Sequence, residues 1–186
     1  ARRCLLTLAH LGFADYDGKF FTLTPRIMRL GTACLATMPL PQIVQPLLDR
    51  LSDELGQSTS VSILDGDEII YIARAAQRKV MSISLTPGSR LPAYCTSMGR
   101  VMLSALPHDQ IDSMVLADST GVTDSTGLAA RTPNTITDAA ALLTELARVR
   151  DQGYAVIDQE VELGLISIAV PIYDARGRVV AALNIG

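Results

Sequence analysis

Residues 165–185, LISIAVPIYDARGRVVAALNI, form two apolar, β-branched runs joined by the turn signal Asp174-Ala175-Arg176-Gly177. Runs of this length separated by a tight turn read as consecutive strands of a hairpin, buried on one or both faces. A hairpin ties its strands antiparallel, so the sheet they belong to takes its helices on its faces and not as parallel crossovers. The same logic applies at 58–75, where STSVSIL and IIYIARA flank DGDE. KVMSISL (79–85) reads as a third strand, TPGSRLPAY as a loop, and YAVID (154–158) as a further strand. The expected fold is α+β, with an antiparallel sheet of about six strands and flanking helices. Hydrophobic residues make up 48% and charged residues 19% of the 186, which suits an ordinary globular core.

Helices are expected between these runs. Ile43, Leu47, Leu48, Leu51 and Leu55 form the apolar set of a helix over 42–55, with Pro46 within its first turns. Thr96 is the expected N-cap of SMGRVMLSAL. Thr137 is expected to cap a helix whose buried face holds Ala139, Leu142, Leu143, Leu146 and Val149, closed by Gly153. DSTGVTDSTGLAARTPNT, 118–135, is rich in Ser, Thr and Gly and reads as a surface loop.

The first 40 residues follow another plan. ARRCLLTLAHLG reads as a helix ending at Gly12, and Asp17-Gly18 is a two-residue hairpin signal between aromatic and β-branched residues. Thr24-Pro25 supplies an N-cap and an N1 proline for a helix through residue 37. Residues 1–31 carry five Arg or Lys against two Asp, a net +3, whereas the remainder carries −6 of the overall −3. A basic helix followed by a basic-tipped hairpin has the order of a winged helix-turn-helix end. A helix and hairpin simply packed on the main domain fit the pattern equally. Prolines 39 and 41 mark a junction, giving three parts: 1–24, a linking helix at 25–40, and 41–186.

The composition also excludes several classes. No apolar run approaches the roughly 18–20 residues of a membrane span, and no secretory signal is visible. Three widely spaced cysteines, Cys4, Cys34 and Cys95, suit free thiols in a reducing cytoplasm. With two histidines and no CxxC or HxxxH spacing, no metal site is expected.

The most site-like stretch is Tyr94–Arg100, YCTSMGR. A covalent enzyme using Cys95 or Ser97 needs a base within reach, and neither His10 nor His108 sits in a motif that supplies one. Arg100 stays protonated. Asp158, Glu160 and Glu162 form an alternating acidic run of the kind usually found on a solvated edge. Capped by Thr96, the helix would instead present the amides of Ser97, Met98 and Gly99 to an anion. A plain cap meeting only water is the alternative. Two polar interruptions of apolar strands, Ser167 and Asn184, need partners and favour a pocket with convergent polar groups. Arg90 and Arg100 are candidates for a second carboxylate or are surface charges.

Three separated stretches carry a family resemblance. Residues 1–31 are similar to the end of the DNA-binding domain and linker of IclR-family transcriptional regulators. LPAYCTSMGRVMLSALP resembles that family's pocket helix, and GYAVIDQEVELGLISIAVPIYDARGRVVAALNIG its C-terminal signature. PAYCTSMGRVML is most similar to the branch governing aromatic-acid catabolism, the protocatechuate and β-ketoadipate pathway. The resemblance implies a regulator that is not an enzyme, with a winged helix-turn-helix and a GAF-like domain that binds a small organic acid. It implies a homodimer or dimer of dimers in the cytoplasm, operator DNA as partner of the full-length protein, and no cofactor or membrane. Effector contacts then fall on Ser97, Met98 and Gly99, on the apolar Val80, Ile83 and Leu91, and on Ser167, Asn184 and Gly186. DNA contacts fall on Arg2, Arg3 and Lys19. Many relatives carry cysteine where Ser167 stands and serines where Asn184 and Gly186 stand, and an acidic pocket residue of some aligns at Ile157. The helices that should precede Ala1 lie outside this sequence, which is therefore expected not to bind an operator specifically. A small cysteine or serine hydrolase and a ligand-free dimerisation module are the competing classes.

Overall fold

The computed structural model describes residues 2–77, 85–111 and 128–186. They fall into two compact units, 1–42 and 43–186.

In the first unit, helix α1 (Arg2–His10) ends at Gly12, whose φ of +75° turns the chain so that Phe13 N–H reaches the Leu8 carbonyl at 2.9 Å. Strands β1 (Ala14–Tyr16) and β2 (Phe21–Leu23) pair antiparallel. Their loop is four residues long, not two. Asp17 Oδ1 accepts from the amides of Lys19 (2.8 Å) and Phe20 (2.6 Å), which fixes the longer turn. Helix α2 (Met28–Thr37) follows a 3-10 turn at Pro25–Ile27. Thr24 precedes that turn but its hydroxyl donates to the Gly12 carbonyl at 2.6 Å, so it ties down the α1 exit instead of capping.

Helix α3 (Pro39–Leu55) begins three residues earlier than expected and runs through Pro46. Val44, Leu48 and Ser52, at a spacing of four, are its buried residues. Ile43, Leu47 and Leu55 are 65%, 50% and 48% exposed, so the sequence's apolar set does not coincide with the buried line.

The second unit is α+β. Its sheet comprises β3 (Thr59–Asp65), β4 (Glu68–Ala75), β5 (Arg90–Pro92), β6 (Ala155–Asp158), β7 (Ile166–Tyr173) and β8 (Val179–Ile185). The order is β5-β4-β3-β8-β7-β6, every neighbour antiparallel. The strand expected at 79–85 lies almost wholly outside the described residues. β5 comes instead from the stretch read as a loop.

One sheet face meets α4 (Ser97–Ser104), all eight of whose residues are buried, and α5 (Ala139–Gln152), which contributes Leu142, Leu146 and Val149. The other face meets α3, where Thr59 Oγ1 donates to the Leu48 carbonyl at 2.9 Å. The cap of α5 is Asp138, one residue after the expected Thr137; its carboxylate accepts from the Ala141 amide at 2.8 Å. Of the expected surface loop, residues 118–127 lie outside the described residues. Further on, Thr132 and Thr135 are buried, donating to the carbonyls of Gln159 (2.6 Å) and Glu160 (2.7 Å). Among the described residues, no helix is long and apolar enough to cross a membrane.

Candidate functional site

Register across the sheet assembles the site. Arg74 on β4 lies opposite Ser60 on β3, Ser60 opposite Asn184 on β8, and Asn184 opposite Ala169 on β7. Directly paired residues share a face, so these four form one row facing α4. A bulge on β4 between the partners of Val61 and Ser62 brings Tyr71 onto that same face.

Helix α4 enters over this row. Thr96 has extended backbone and its hydroxyl accepts from the Gly99 amide at 3.2 Å. One of the three leading amides is thereby satisfied, leaving those of Ser97 and Met98 at the helix start. Ser97 Oγ and Ser167 Oγ lie 2.9 Å apart in a buried bond, and Ser62 Oγ donates to Met98 Sδ at 3.2 Å.

Six residues expected at the site, Leu91, Ser97, Met98, Ser167, Asn184 and Gly186, line one cavity between α4 and the sheet. The space between its walls, counted together with its open mouth, is about 520 Å³. Gly186 lets β8 close on β7, since a Cβ there would stand 2.7 Å from that of Ser167. Gly99 does not line the cavity; it faces the backbone of Ala93. Val80 and Ile83 lie outside the described residues. Arg2, Arg3 and Lys19 are exposed in the first unit, where Arg2 donates to Tyr16 Oη at 3.2 Å and Lys19 Nζ sits 5.0 Å from the centroid of Phe20.

Sequence reasoning missed Tyr71, Arg74, Val161 and Glu162 in the lining. Arg74 was discoverable, because a charge within IIYIARA interrupts an apolar strand just as Ser167 and Asn184 do. Its Nη1 donates to Ser60 Oγ at 2.8 Å, and burial lowers its pKa from the usual arginine value, although the guanidinium stays charged. Burial pushes the Tyr71 phenol up to about 12, keeping it neutral. Three buried side-chain atoms among the described residues have no hydrogen-bond partner: Arg74 Nε, Glu162 Oε2 and Asn184 Oδ1. All three residues line this cavity.

The two arginines considered for a second carboxylate are engaged elsewhere. Arg90 pairs with Glu68 (2.6 Å) and Asp65 (2.7 Å) on the surface. Arg100 is 1% exposed and donates to Glu160 at 2.5 Å and to the Tyr94 carbonyl at 2.8 Å. Glu160 also accepts from the Ile136 amide at 3.1 Å. Asp158 of the acidic run is exposed as expected, but Glu160 is an ion-pair partner 7% exposed, and Glu162 turns into the cavity.

Cys95 is fully buried, and burial pushes its thiol up to about 11, far from the lowered values of nucleophilic cysteines. Cys4 and Cys34 are exposed. Iodoacetamide near neutral pH is therefore expected to label those two and spare Cys95, read by intact mass. Equally fast labelling of Cys95 would mean that the start of α4 opens.

A family profile described as bacterial transcriptional regulator IclR C-terminal matches residues 32–186. The Pca regulon regulatory protein of Pseudomonas putida is 48% identical over 185 residues, covering 99% of this chain and 61% of that protein. A solved transcriptional regulator from Rhodococcus sp. RHA1 aligns with a TM-score of 0.76 at 43% identity, over 99% of this chain and 70% of that one. The inducer-binding domain of the Acinetobacter transcription factor PobR, solved as a double mutant with 3-hydroxybenzoic acid, aligns with a TM-score of 0.69 at 34% identity, over 80% of this chain and 82% of that one. These relatives are transcriptional regulators, not enzymes.

Proposed function

The chain belongs to the IclR family of bacterial transcriptional regulators, and from that premise we propose that its cavity receives a small aromatic carboxylate that controls operator binding by the whole protein. The observation that carries this reading is Arg74 Nε, a buried cationic donor left without an acceptor on the wall of the cavity. An N–H withdrawn from water and unpaired is costly, and an entering carboxylate relieves it. The Ser97 and Met98 amides at the start of α4 add a positive end to the same cavity. Similarity to the PobR inducer-binding domain, solved with 3-hydroxybenzoic acid, supports an aromatic acid as the effector class.

In this reading residues 1–24 are the end of a winged helix-turn-helix, with Arg2, Arg3 and Lys19 towards phosphates. Residues 25–40 are the linking helix, and 41–186 bind the effector. The protein works as a homodimer or dimer of dimers. The acid prefers one arrangement of paired subunits, and the linking helix transmits that preference. It shifts the equilibrium only by its difference in affinity for the two arrangements.

A thermal-shift screen of aromatic and short aliphatic acids tests the reading. At a hundred times its dissociation constant an effector stabilises by about 2.7 kcal/mol. A charge-assisted hydrogen bond contributes about 1.5–3 kcal/mol, so Arg74→Gln is expected to weaken every such acid by about 10- to 100-fold in calorimetry. Undiminished affinity in this variant removes Arg74 from the site. A chain that no acid stabilises is a dimerisation module instead.

A further inference from the structure

Arg74 can only donate hydrogen bonds, and an ionised Glu162 can only accept them. Asn184 discriminates less, because its amide can present either its oxygen or its nitrogen. Arg74 and Glu162 line one cavity, each with a buried atom lacking a partner, and they make no ion pair with each other. The side chains lining the cavity therefore include an unpartnered obligate donor and an unpartnered obligate acceptor.

The backbone of Glu162 is fixed by its own segment. The Gln159 amide donates to the Leu165 carbonyl at 2.8 Å, the Gly164 amide to Gln159 Oε1 at 2.9 Å, and the Leu165 amide to the Glu162 carbonyl at 3.2 Å. Two residues before it, Glu160 is fixed by Arg100. Val161, beside it, is buried and lines the same cavity.

We infer that Glu162 sets which acids the cavity accepts: an acid with a hydrogen-bond donor at the end away from its carboxylate is held, and one with a second carboxylate there is rejected. The inference rests on the reading of the cavity as an aromatic-acid site. With the carboxylate at Arg74, a distal hydroxyl supplies the proton that Glu162 Oε2 lacks. A second carboxylate would set two like charges together where water is scarce, and such juxtapositions are strongly unfavourable. A bare ring leaves the acceptor unpaired, which costs less than repulsion.

Calorimetry on the full chain with benzoate, 4-hydroxybenzoate and terephthalate separates these cases, because the three differ only at the para position. The wild type is expected to bind 4-hydroxybenzoate most tightly and terephthalate about tenfold or more weaker, with benzoate between. Glu162→Gln keeps the shape and removes the charge. Its ligand-free melting temperature is expected to equal or exceed that of the wild type, and its preference for 4-hydroxybenzoate over terephthalate to shrink to about threefold or less, mainly because terephthalate gains. Terephthalate binding the wild type as tightly as 4-hydroxybenzoate overturns the inference, as does an unchanged ratio in Glu162→Gln. If the wild type binds none of the three, the aromatic-acid reading falls and this inference with it. Tight binding of terephthalate leaves that reading standing and removes only the role of Glu162.

Discussion

Gly99→Ala is expected to destabilise the chain by about 3 kcal/mol or more, measured as loss in the main urea-unfolding transition. The sign is informative, because glycine to alanine within a helix ordinarily stabilises by roughly 1 kcal/mol. Here the added Cβ would stand 2.1 Å from the Ala93 carbonyl oxygen and 2.4 Å from its Cα. These are backbone atoms, and they cannot retreat cheaply. Ala93 is fully buried, its amide donates to the Asp67 carbonyl at 2.8 Å, and its carbonyl accepts from the Thr96 amide at 3.3 Å. The clash therefore lifts α4 from the 93–96 turn and pulls Ser97 and Met98 away from the sheet. Stability equal to the wild type would mean that α4 does not lie so close to that turn. The glycine of YCTSMGR thus acts through packing. It lets the helix start sit where its neighbours reach the cavity.

The paired runs around Asp174–Gly177 announced the antiparallel sheet, because length, β-branching and a tight turn are local properties of the chain. Thr96 was legible as a cap for the same reason. Ser167 and Asn184 stood out as polar residues in apolar strands, and the structure places both in the lining of one cavity. Other residues were not legible, for identifiable reasons. β5 is three residues long and sits in a Pro- and Gly-rich stretch with no room for a period. Arg74 and Tyr71 are three apart, so strict alternation assigns them to opposite faces; the bulge in β4 reunites them. Glu160 and Glu162 look like an exposed acidic run because the partner of Glu160 lies 60 residues earlier in the chain. Long-range pairing leaves no local signature, and burial inverts what the run means.

That distant pair supplies the other large effect. Glu160→Leu is expected to cost about 3–5 kcal/mol, because it strands the buried Arg100 guanidinium. The nearest remaining acidic group, Glu145, is 3.9 Å from Nη1, and the Tyr94 carbonyl satisfies only Nε. The Ile136 amide loses its acceptor as well. If the penalty is chiefly the orphaned charge, Arg100→Met combined with Glu160→Leu should recover more than half of it, since an apolar pair of similar volume carries no charge to desolvate. The double-mutant cycle by urea unfolding measures this coupling directly. A Glu160→Leu loss below about 1 kcal/mol would mean that Arg100 finds water or another partner. The pair also bears on the cavity, because it joins α4 to the segment that carries Val161, Glu162 and Leu165. Where the double variant folds well but binds aromatic acids more weakly, the ion pair serves to position Glu162 against Ser97 and Met98. Where it binds as the wild type does, the turn's own hydrogen bonds suffice, and the pair is a remnant whose energetic cost the rest of the core carries.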